Sequence, residues 1–343
     1  MTENAILITG GAGYIGSHAC KALRRRGLLP VTYDNLCTGN AEAVKWGPLE
    51  QGDIRDRDHL KAVIEKYQPI AIMHFAALIQ VGESVTNPAA YYDNNLLGSY
   101  CLLEEARAAN IKHMVFSSTA AVYGLPQTEL ISESHPKNPI NPYGATKLAM
   151  ESMIRDYSHA YGMSHAILRY FNAAGADPEG ELGTAYSVYT HLIPLILMVA
   201  TGERENIKVF GDDYPTADGS AMRDFIHVSD LIEAHVLALE HLLQGKGNLT
   251  LNLGTNKATS VKQMLDLARE ITGHAIPAII NPRRDGDPPL LAADASEARH
   301  LLGWTPTHSD LRNILATAWQ WQQKVHQMGK SAALAASTKQ ESA

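Results

Sequence analysis

Two residues four positions apart carry the most chemistry in this chain: Tyr143 and Lys147, in NPYGATK. Pro142 suits a first helical turn, so the pair lies at i and i+4 on one helical face, an ammonium beside a phenol. At about 4 Å and an effective dielectric of about 20, one such charge is worth roughly 4 kcal/mol. That is about three pKa units, an upper figure because desolvation opposes it. A phenol tuned this way can take the proton of an alcohol. YxxxK alone is common among surface neighbours. The upstream hydroxyls Ser117, Ser118 and Thr119, and a glycine turn near the N-terminus, make it specific. In that turn, AILITGGAGYIGSH, Gly10, Gly13 and Gly16 stand at GxxGxxG spacing between an apolar run and a helix start. Glycines there permit a tight turn and let backbone approach a pyrophosphate, and the helix end offers N–H groups and its positive dipole. Asp34 closes the next apolar run, roughly 20 residues past the last glycine. A carboxylate at that point accepts from a ribose diol and repels a 2′-phosphate, so the cofactor expected is NAD rather than NADP. Asp53, after LEQGDI, either sits by the adenine or is a solvated turn acid.

The elements that must position these residues follow from hydrophobic pattern. AILIT (5–9), PVTYD (30–34), IAIMHF (70–75), HMVFSS (113–118) and HAILRY (165–170) read as buried strands. Amphipathic stretches at 57–67, 89–109 and 143–161 alternate with them. Continuous apolar strands alternating with helices predict an α/β fold, a parallel sheet covered by helices on both faces. The second half is more mixed, with helices over 187–201, 229–243 and 260–272 and a Gly, Asp and Pro loop at 211–219. Ser260 and Gln263 form a capping box ahead of Val261, Met264, Leu265, Ala268 and Ile271 at helical spacing. The lobe change falls in the turn-rich stretch 171–183. The expected division is a dinucleotide-binding domain over 1–172 and a substrate-binding domain over 173–330, with some strands and helices interleaving. SAALAASTKQESA (331–343) has no periodic apolar face and is expected to be a disordered tail.

Composition bounds the function. A chain of 343 residues suits two lobes of roughly 100–200 residues each, and 45% hydrophobic with 19% charged residues is an ordinary globular balance. The net charge of −7, with no long basic run, argues against nucleic acid as a partner. Cys20, Cys37 and Cys101 are too scattered for a disulfide scaffold or a zinc ribbon. The fifteen histidines include no HExxH spacing, so no metal is expected; His227, His235 and His241 read as packing residues. MTENAILITGG lacks a basic n-region, and the longest apolar stretch, 192–200, is short and interrupted by Pro194. A cytoplasmic protein without membrane contact is expected, which makes the sequon at Asn248 irrelevant.

Longer stretches sharpen the reading: GGAGYIGSH, YDNLCTGN, HFAALIQVGESV, YYDNNLLGS, FSSTAAVYG, NPYGATK, RYFNAAGAD, FGDDYPTADGSAMRDFIHVSDL, NLGT, RRDGDPP and DASEARHLLGW. Together they resemble the extended short-chain dehydrogenase/reductase superfamily, and within it the UDP-glucose (UDP-galactose) 4-epimerases, over nearly the whole chain. The resemblance implies a Rossmann-type doubly wound sheet with a smaller mixed α/β lobe for a UDP-sugar. It implies an isomerase that interconverts UDP-galactose and UDP-glucose. Tyr143 removes the proton of the sugar 4-OH while the C4 hydride passes to tightly held NAD⁺. The 4-ketohexose then swings and takes the hydride back on its other face. Thr119 hydrogen-bonds the 4-oxygen and Tyr143; Lys147 lowers the tyrosine pKa and binds the nicotinamide ribose. Around the cofactor the family places Tyr14 and Ile15 with the glycines, Asp34, Asn35, Asp53 and Ile54 at the adenosine end, and Phe75, Ala76, Ala77, Asn94 and Phe171 beyond. Asn172, Arg223, Arg284 and Asp287 hold the UDP-sugar, with His191, Leu192 and Leu291 at its pocket. Two arginine forks on a diphosphate make sense in an acidic protein. The family is usually a homodimer joined through helices of the cofactor lobe, here 89–109 and 148–161.

Three positions depart from the family pattern. Ile79 replaces a lysine near the cofactor, His191 an asparagine on the sugar nucleotide, and Leu291 a tyrosine that tends to exclude a 2-acetamido group. His191 either keeps the hydrogen bond or is a satisfied pocket histidine. Leucine leaves room, so activity on UDP-GalNAc/UDP-GlcNAc beside the hexoses is expected. Sugar-nucleotide dehydratases and UDP-glucuronate decarboxylases share the cofactor half but carry acids just after the Ser/Thr. Ala120 and Ala121 stand there instead. A UDP-N-acetylhexosamine or UDP-uronate 4-epimerase, an NADP reductase and a non-catalytic NAD-binding protein are the remaining alternatives. Asp34 speaks against the reductase, and intact Tyr143, Lys147 and Thr119 against the last.

Overall fold

The computed structural model describes residues 4–184, 189–284 and 286–341. From the N-terminus come β1 (Ala5–Thr9), α1 (Tyr14–Arg25), β2 (Leu29–Asp34), β3 (Leu49–Gln51), α2 (Arg57–Tyr67) and β4 (Ala71–His74). Next are α3 (Val81–Thr86), α4 (Pro88–Tyr91), a π-helical turn (Tyr92–Leu97), α5 (Gly98–Ala108), β5 (His113–Thr119), β6 (Leu130–Ile131), α6 (Pro142–Tyr161) and β7 (Ser164–Tyr170). The second half holds β8 (Asn172–Ala174), α7 (Leu192–Ala200), β9 (Ile207–Phe210), β10 (Met222–Arg223), β11 (Phe225–His227), α8 (Val228–Leu243) and β12 (Leu249–Leu253). β13 (Thr259–Ser260), α9 (Val261–Thr272), β14 (Ala278–Asn281), β15 (Leu290–Ala293), α10 (Ser296–Leu302) and α11 (Leu311–Glu341) complete it.

Seven parallel strands form the main sheet in the order β12-β7-β5-β4-β1-β2-β3. The fold is therefore the doubly wound α/β class expected. All five residues of β1 are buried, as a strand covered on both faces requires. One face packs on α1 and α8 through Leu23, Leu231, Val236 and Leu239; the other packs on α2, α5 and α6 through Leu60, Leu102, Met150 and Ile154. The winding reverses between β1 and β4, and the carboxyl ends of those strands flank the crevice where such sheets take ligands. β12 and α8 return to the main sheet from late in the sequence, so the two halves of the chain interleave. A second core gathers α7, α9 and α11 around Ile196, Leu265 and Leu315.

Three elements differ from the sequence expectation. The helix over 89–109 is three pieces, because Pro88 starts α4 and a π turn interrupts the run before α5. Such turns often mark functional sites. The helix over 187–201 begins at Leu192, with His191 as its N-cap, since Pro194 is tolerated only in the first turn; residues 187 and 188 lie outside the described residues. α11 runs to Glu341, across most of the stretch from 331 expected to be disordered. Its alanines, leucine, lysines, glutamine and glutamate are strong helix formers whatever their periodicity.

Candidate active site

The glycine turn after β1 is closed by contacts that only glycine allows. Gly10 has φ +75, and a Cβ there would stand 2.6 Å from the Ala76 nitrogen; one on Gly16 would stand 2.2 Å from the Gly10 oxygen. The loop Phe75, Ala76, Ala77 after β4 thus lies against the turn. Gly13 caps α1 without a side-chain hydrogen bond. That leaves the first-turn N–H groups aimed at an anion. Asp34 ends β2, nearly buried, accepting at Oδ2 from the Ala12 N–H (3.0 Å) and at Oδ1 from the Leu36 N–H (2.8 Å). Burial raises its pKa while those two donors oppose the rise. Beside it, Asn35 donates to Asp53 Oδ2 at 3.0 Å, and Arg55 holds the Asp53 carboxyl far below the usual range. Asp53 is a paired acid, not merely a solvated one. Ile54 is buried in the core, and Ile15 packs on the opposite core. Tyr14 donates its hydroxyl to the Gly175 carbonyl at 2.7 Å, tying α1 to the lobe junction. Asn94, in the π turn, donates to its neighbour Asn95.

Thr119, Tyr143 and Lys147 meet where β5 ends against α6. Asn141 caps α6 by accepting from the Gly144 N–H at 2.8 Å, and Pro142 fills the first turn. Tyr143, half-buried, lies beside Thr119, whose side chain opposes the rise of the phenol pKa. Thr119 Oγ1 also accepts from the Ala121 N–H at 3.2 Å, capping the 3-10 turn Ala120–Val122. Lys147 is buried and donates to the Ser117 carbonyl at 2.9 Å, 4.8 Å above the Phe116 ring.

The electrostatics differ from the expected three-unit fall at Tyr143. Burial pushes the phenol up to about 12, with the Thr119 hydrogen bond opposing, and brings Lys147 down to about 7, with Glu151 opposing. Desolvation disfavours both charges, and Lys147 spends its ammonium on a carbonyl rather than on the phenol. Burial therefore keeps the phenol protonated and brings the Lys147 ammonium into the neutral pH range.

Asn172 opens β8 and donates to the Asp224 carbonyl at 3.0 Å. Arg223 pairs with Asp287 and donates to the Met222 (2.8 Å) and Pro288 (3.0 Å) carbonyls. Arg284 lies with its guanidinium 3.9 Å from the Phe210 ring centroid. Leu291 stands opposite Arg223 in the β10–β15 register. It packs, as Phe171 does, against the cluster of Ala120, Val122, Tyr123 and Ile131, which includes the turn that follows Thr119. Leu192 packs instead on the second core, one residue past exposed His191.

Sequence reasoning missed a buried polar network beneath these residues. Glu151, one turn beyond Lys147, accepts from Ser118 Oγ at 2.7 Å and from Arg169 Nε at 2.8 Å. Arg169 reaches the Tyr123 hydroxyl, which donates to Asn252 Oδ1 of β12 at 2.7 Å. The spacing 143, 147, 151 was a readable signal, because it continues one helical face. Asn95 holds both the N–H and the carbonyl of Leu78, fixing the loop beyond Phe75. His74 bridges Thr9 (2.6 Å) and Ser99 (2.8 Å), and burial keeps it neutral, its pKa down to about 3.

The seven-stranded parallel sheet, the glycine turn and the acid ending β2 define a Rossmann-type nucleotide-binding fold. Residues 6–254 match the model of the NAD dependent epimerase/dehydratase family, and the chain belongs to that family. Over 329 residues it is 50% identical to the UDP-glucose 4-epimerase of Rhizobium meliloti (strain 1021), covering 96% of this chain and 100% of that one. Its fold is similar to the Brucella ovis UDP-glucose 4-epimerase in complex with NAD, with TM-score 0.91, 49% identity and coverage of 92% and 97%. It is also similar to the UDP-Glc/GlcNAc 4-epimerase of Campylobacter jejuni, with TM-score 0.83, 40% identity and coverage of 94% and 99%.

Proposed function

We propose that this protein is an NAD-dependent isomerase that interconverts UDP-galactose and UDP-glucose through a transient 4-ketone. The observation that carries the reading is the placement of Tyr143 beside Thr119 where β5 ends against α6, with Ala120 and Ala121 directly beyond. The cofactor test is steric: Gly10 and Gly16 let the turn after β1 close on the Ala76 backbone and on itself, at the N-terminus of α1 and beside Asp34, as a tight pyrophosphate turn requires. These residues fit NAD, with Asn35 and Asp53 at the adenosine end, Tyr14, Phe75 and Asn94 along it and Lys147 at the nicotinamide ribose. Bound NAD supplies the hydride acceptor at C4 and the hydride donor in the return step. The chain's own residues handle the proton. Tyr143 Oη takes it from the 4-OH and returns it, and Thr119 Oγ1 orients that oxygen. Since burial alone keeps the phenol protonated, Tyr143 serves as a base once Lys147 carries its proton nearby.

With alanines at 120 and 121 no acid is placed to drive elimination, so the ketone goes back to an alcohol. Arg223 and Arg284 serve the diphosphate, which requires Arg223 to release Asp287; Asn172, His191, Leu192 and Leu291 border the nucleotide sugar. Two further assignments belong to this reading. Exposed Tyr92, Leu97 and Tyr100 on the helices around the π turn support a homodimer through that face. A cytoplasmic location fits three free cysteines, Cys20, Cys37 and Cys101. Among the described residues no helix is long and apolar enough to cross a membrane. The decisive variant is Tyr143→Phe: NAD stays bound and the fold intact, while turnover falls about 10²–10⁴-fold. Near-parental turnover would remove Tyr143 from its role.

A further inference from the structure

Three consecutive residues at the end of β5 each meet α6, at helix positions spaced by four. Thr119 lies beside Tyr143, the Ser117 carbonyl accepts from Lys147 at 2.9 Å, and Ser118 Oγ donates to Glu151 Oε1 at 2.7 Å. The first two contacts involve residues already assigned to the chemistry; the third does not. Glu151 and Arg169 both have no exposed side-chain surface. The carboxylate takes two donors from Arg169, one from Ser118 and one from Arg155 (3.3 Å). Arg169 continues to Tyr123 at 2.8 Å, just beyond the 3-10 turn after Thr119, and Tyr123 to Asn252 of β12. Apolar side chains of similar volume would fill such a site at no loss of stability, often with a gain. A fully buried ion pair directly under the reacting residues therefore points to a positional use.

We propose that Glu151 is a positioning residue for the reaction, its carboxylate clamping Ser118 to α6 so that Thr119, Tyr143 and Lys147 meet in one geometry. This rests on the epimerase reading above. The clamp also places a charge beside the reacting pair. Burial opposes ionisation of Glu151, but the Arg169 and Ser118 contacts outweigh it and hold the carboxyl below its ordinary value. Glu151 in turn favours the charged form of Lys147. The other groups facing this cluster are Arg155 on α6, Arg169 and His165 on β7, Lys137 ahead of α6, and His74 and Tyr143 around Lys147.

Two variants of the NAD-loaded protein separate clamp from charge. Ser118→Ala keeps the ion pair and removes the fastening. Its kcat for UDP-galactose should fall about tenfold or more, the cost of a small misplacement of reacting groups, with KM within about twofold and NAD retained. Unchanged kcat with only a lower melting temperature would overturn the proposal. Glu151→Gln keeps an oxygen for Ser118 and removes the charge, so the first proton of the Tyr143/Lys147 pair should leave at lower pH, by about one unit. That titration is read by NMR from the Lys147 side-chain resonance of lysine-labelled protein, assigned with the Lys147→Met protein; an unmoved titration contradicts the charge placement. The NMR reading requires no turnover. Parental protein that failed to convert any UDP-sugar would defeat the functional reading, while the titration would still decide the placement of Glu151.

Discussion

At the scale of single residues, burial works against charge on both Tyr143 and Lys147. Lys147 titrates near pH 7 instead of its ordinary 10.5, because burial disfavours its ammonium. The sign follows directly: the folded state binds that proton less tightly than the unfolded chain, so stability from this group is full above pH 10.5. It is lost as pH falls toward about 7. Lys147→Met should therefore stabilise the NAD-free protein, by a margin that widens as pH drops from about 10 to about 7 and then stays constant. Denaturant melts of parent and variant across that range check it; a variant that is less stable at pH 7 contradicts it. Leu291 raises a separate question of substrate breadth. Its aliphatic wall against the cluster of Ala120 and Val122 offers only a weak clash to an added acetamido group. UDP-GalNAc should be turned over measurably, and Leu291→Tyr should suppress that activity far more than activity on UDP-galactose. Equal losses on both substrates in side-by-side assays would end the gatekeeper role. Residue types at Tyr143, Lys147 and Asp34 were legible because their chemistry depends on spacing along the chain. The Arg223–Asp287 pair and the Ser117 partner of Lys147 were not, because both join segments remote in sequence.

At the scale of elements, the glycine turn is the most constrained feature. Gly10 combines a left-handed backbone with a Cβ position 2.6 Å from the Ala76 nitrogen, so Gly10→Ala must push the β4 loop away from the turn. The purified variant should carry little or no NAD, read from its absorbance and by mass spectrometry after denaturation; full occupancy would mean that the loop is free to shift. Strands and most helices were readable from period and caps: β1, α2 and the Ser260–Gln263 capping box stand where pattern placed them. The π turn at Tyr92–Leu97 was not, since its sequence keeps an ordinary helical pattern. What sets that turn apart is Asn95, whose side chain turns to the Leu78 backbone, a tertiary contact that no local propensity encodes.

At the scale of the molecule, parallel strands place the ends of β1, β4 and β5 side by side, so the glycine turn, the loop from Phe75 and Thr119 gather at one edge against Tyr143 and Lys147 of α6. The late return of β12 ties that platform to the second half of the chain, through Asn252 to Tyr123 and Arg169. Alternation of strand and helix made the sheet legible. The interleaving of α8 and β12 was only anticipated in outline, because the sequence does not say which distant strand a β-strand will pair with. The central claim is that hydrogen leaves C4 and returns to C4 of the same sugar without visiting solvent. The most direct measurement is to incubate the NAD-loaded protein with UDP-galactose deuterated at C4 in ordinary water and follow the products by proton NMR. UDP-glucose that keeps its deuterium at C4, with no net accumulation of NADH, is the expected result. Deuterium washed out of C4, a deoxygenated keto product, or no UDP-glucose at all would contradict it.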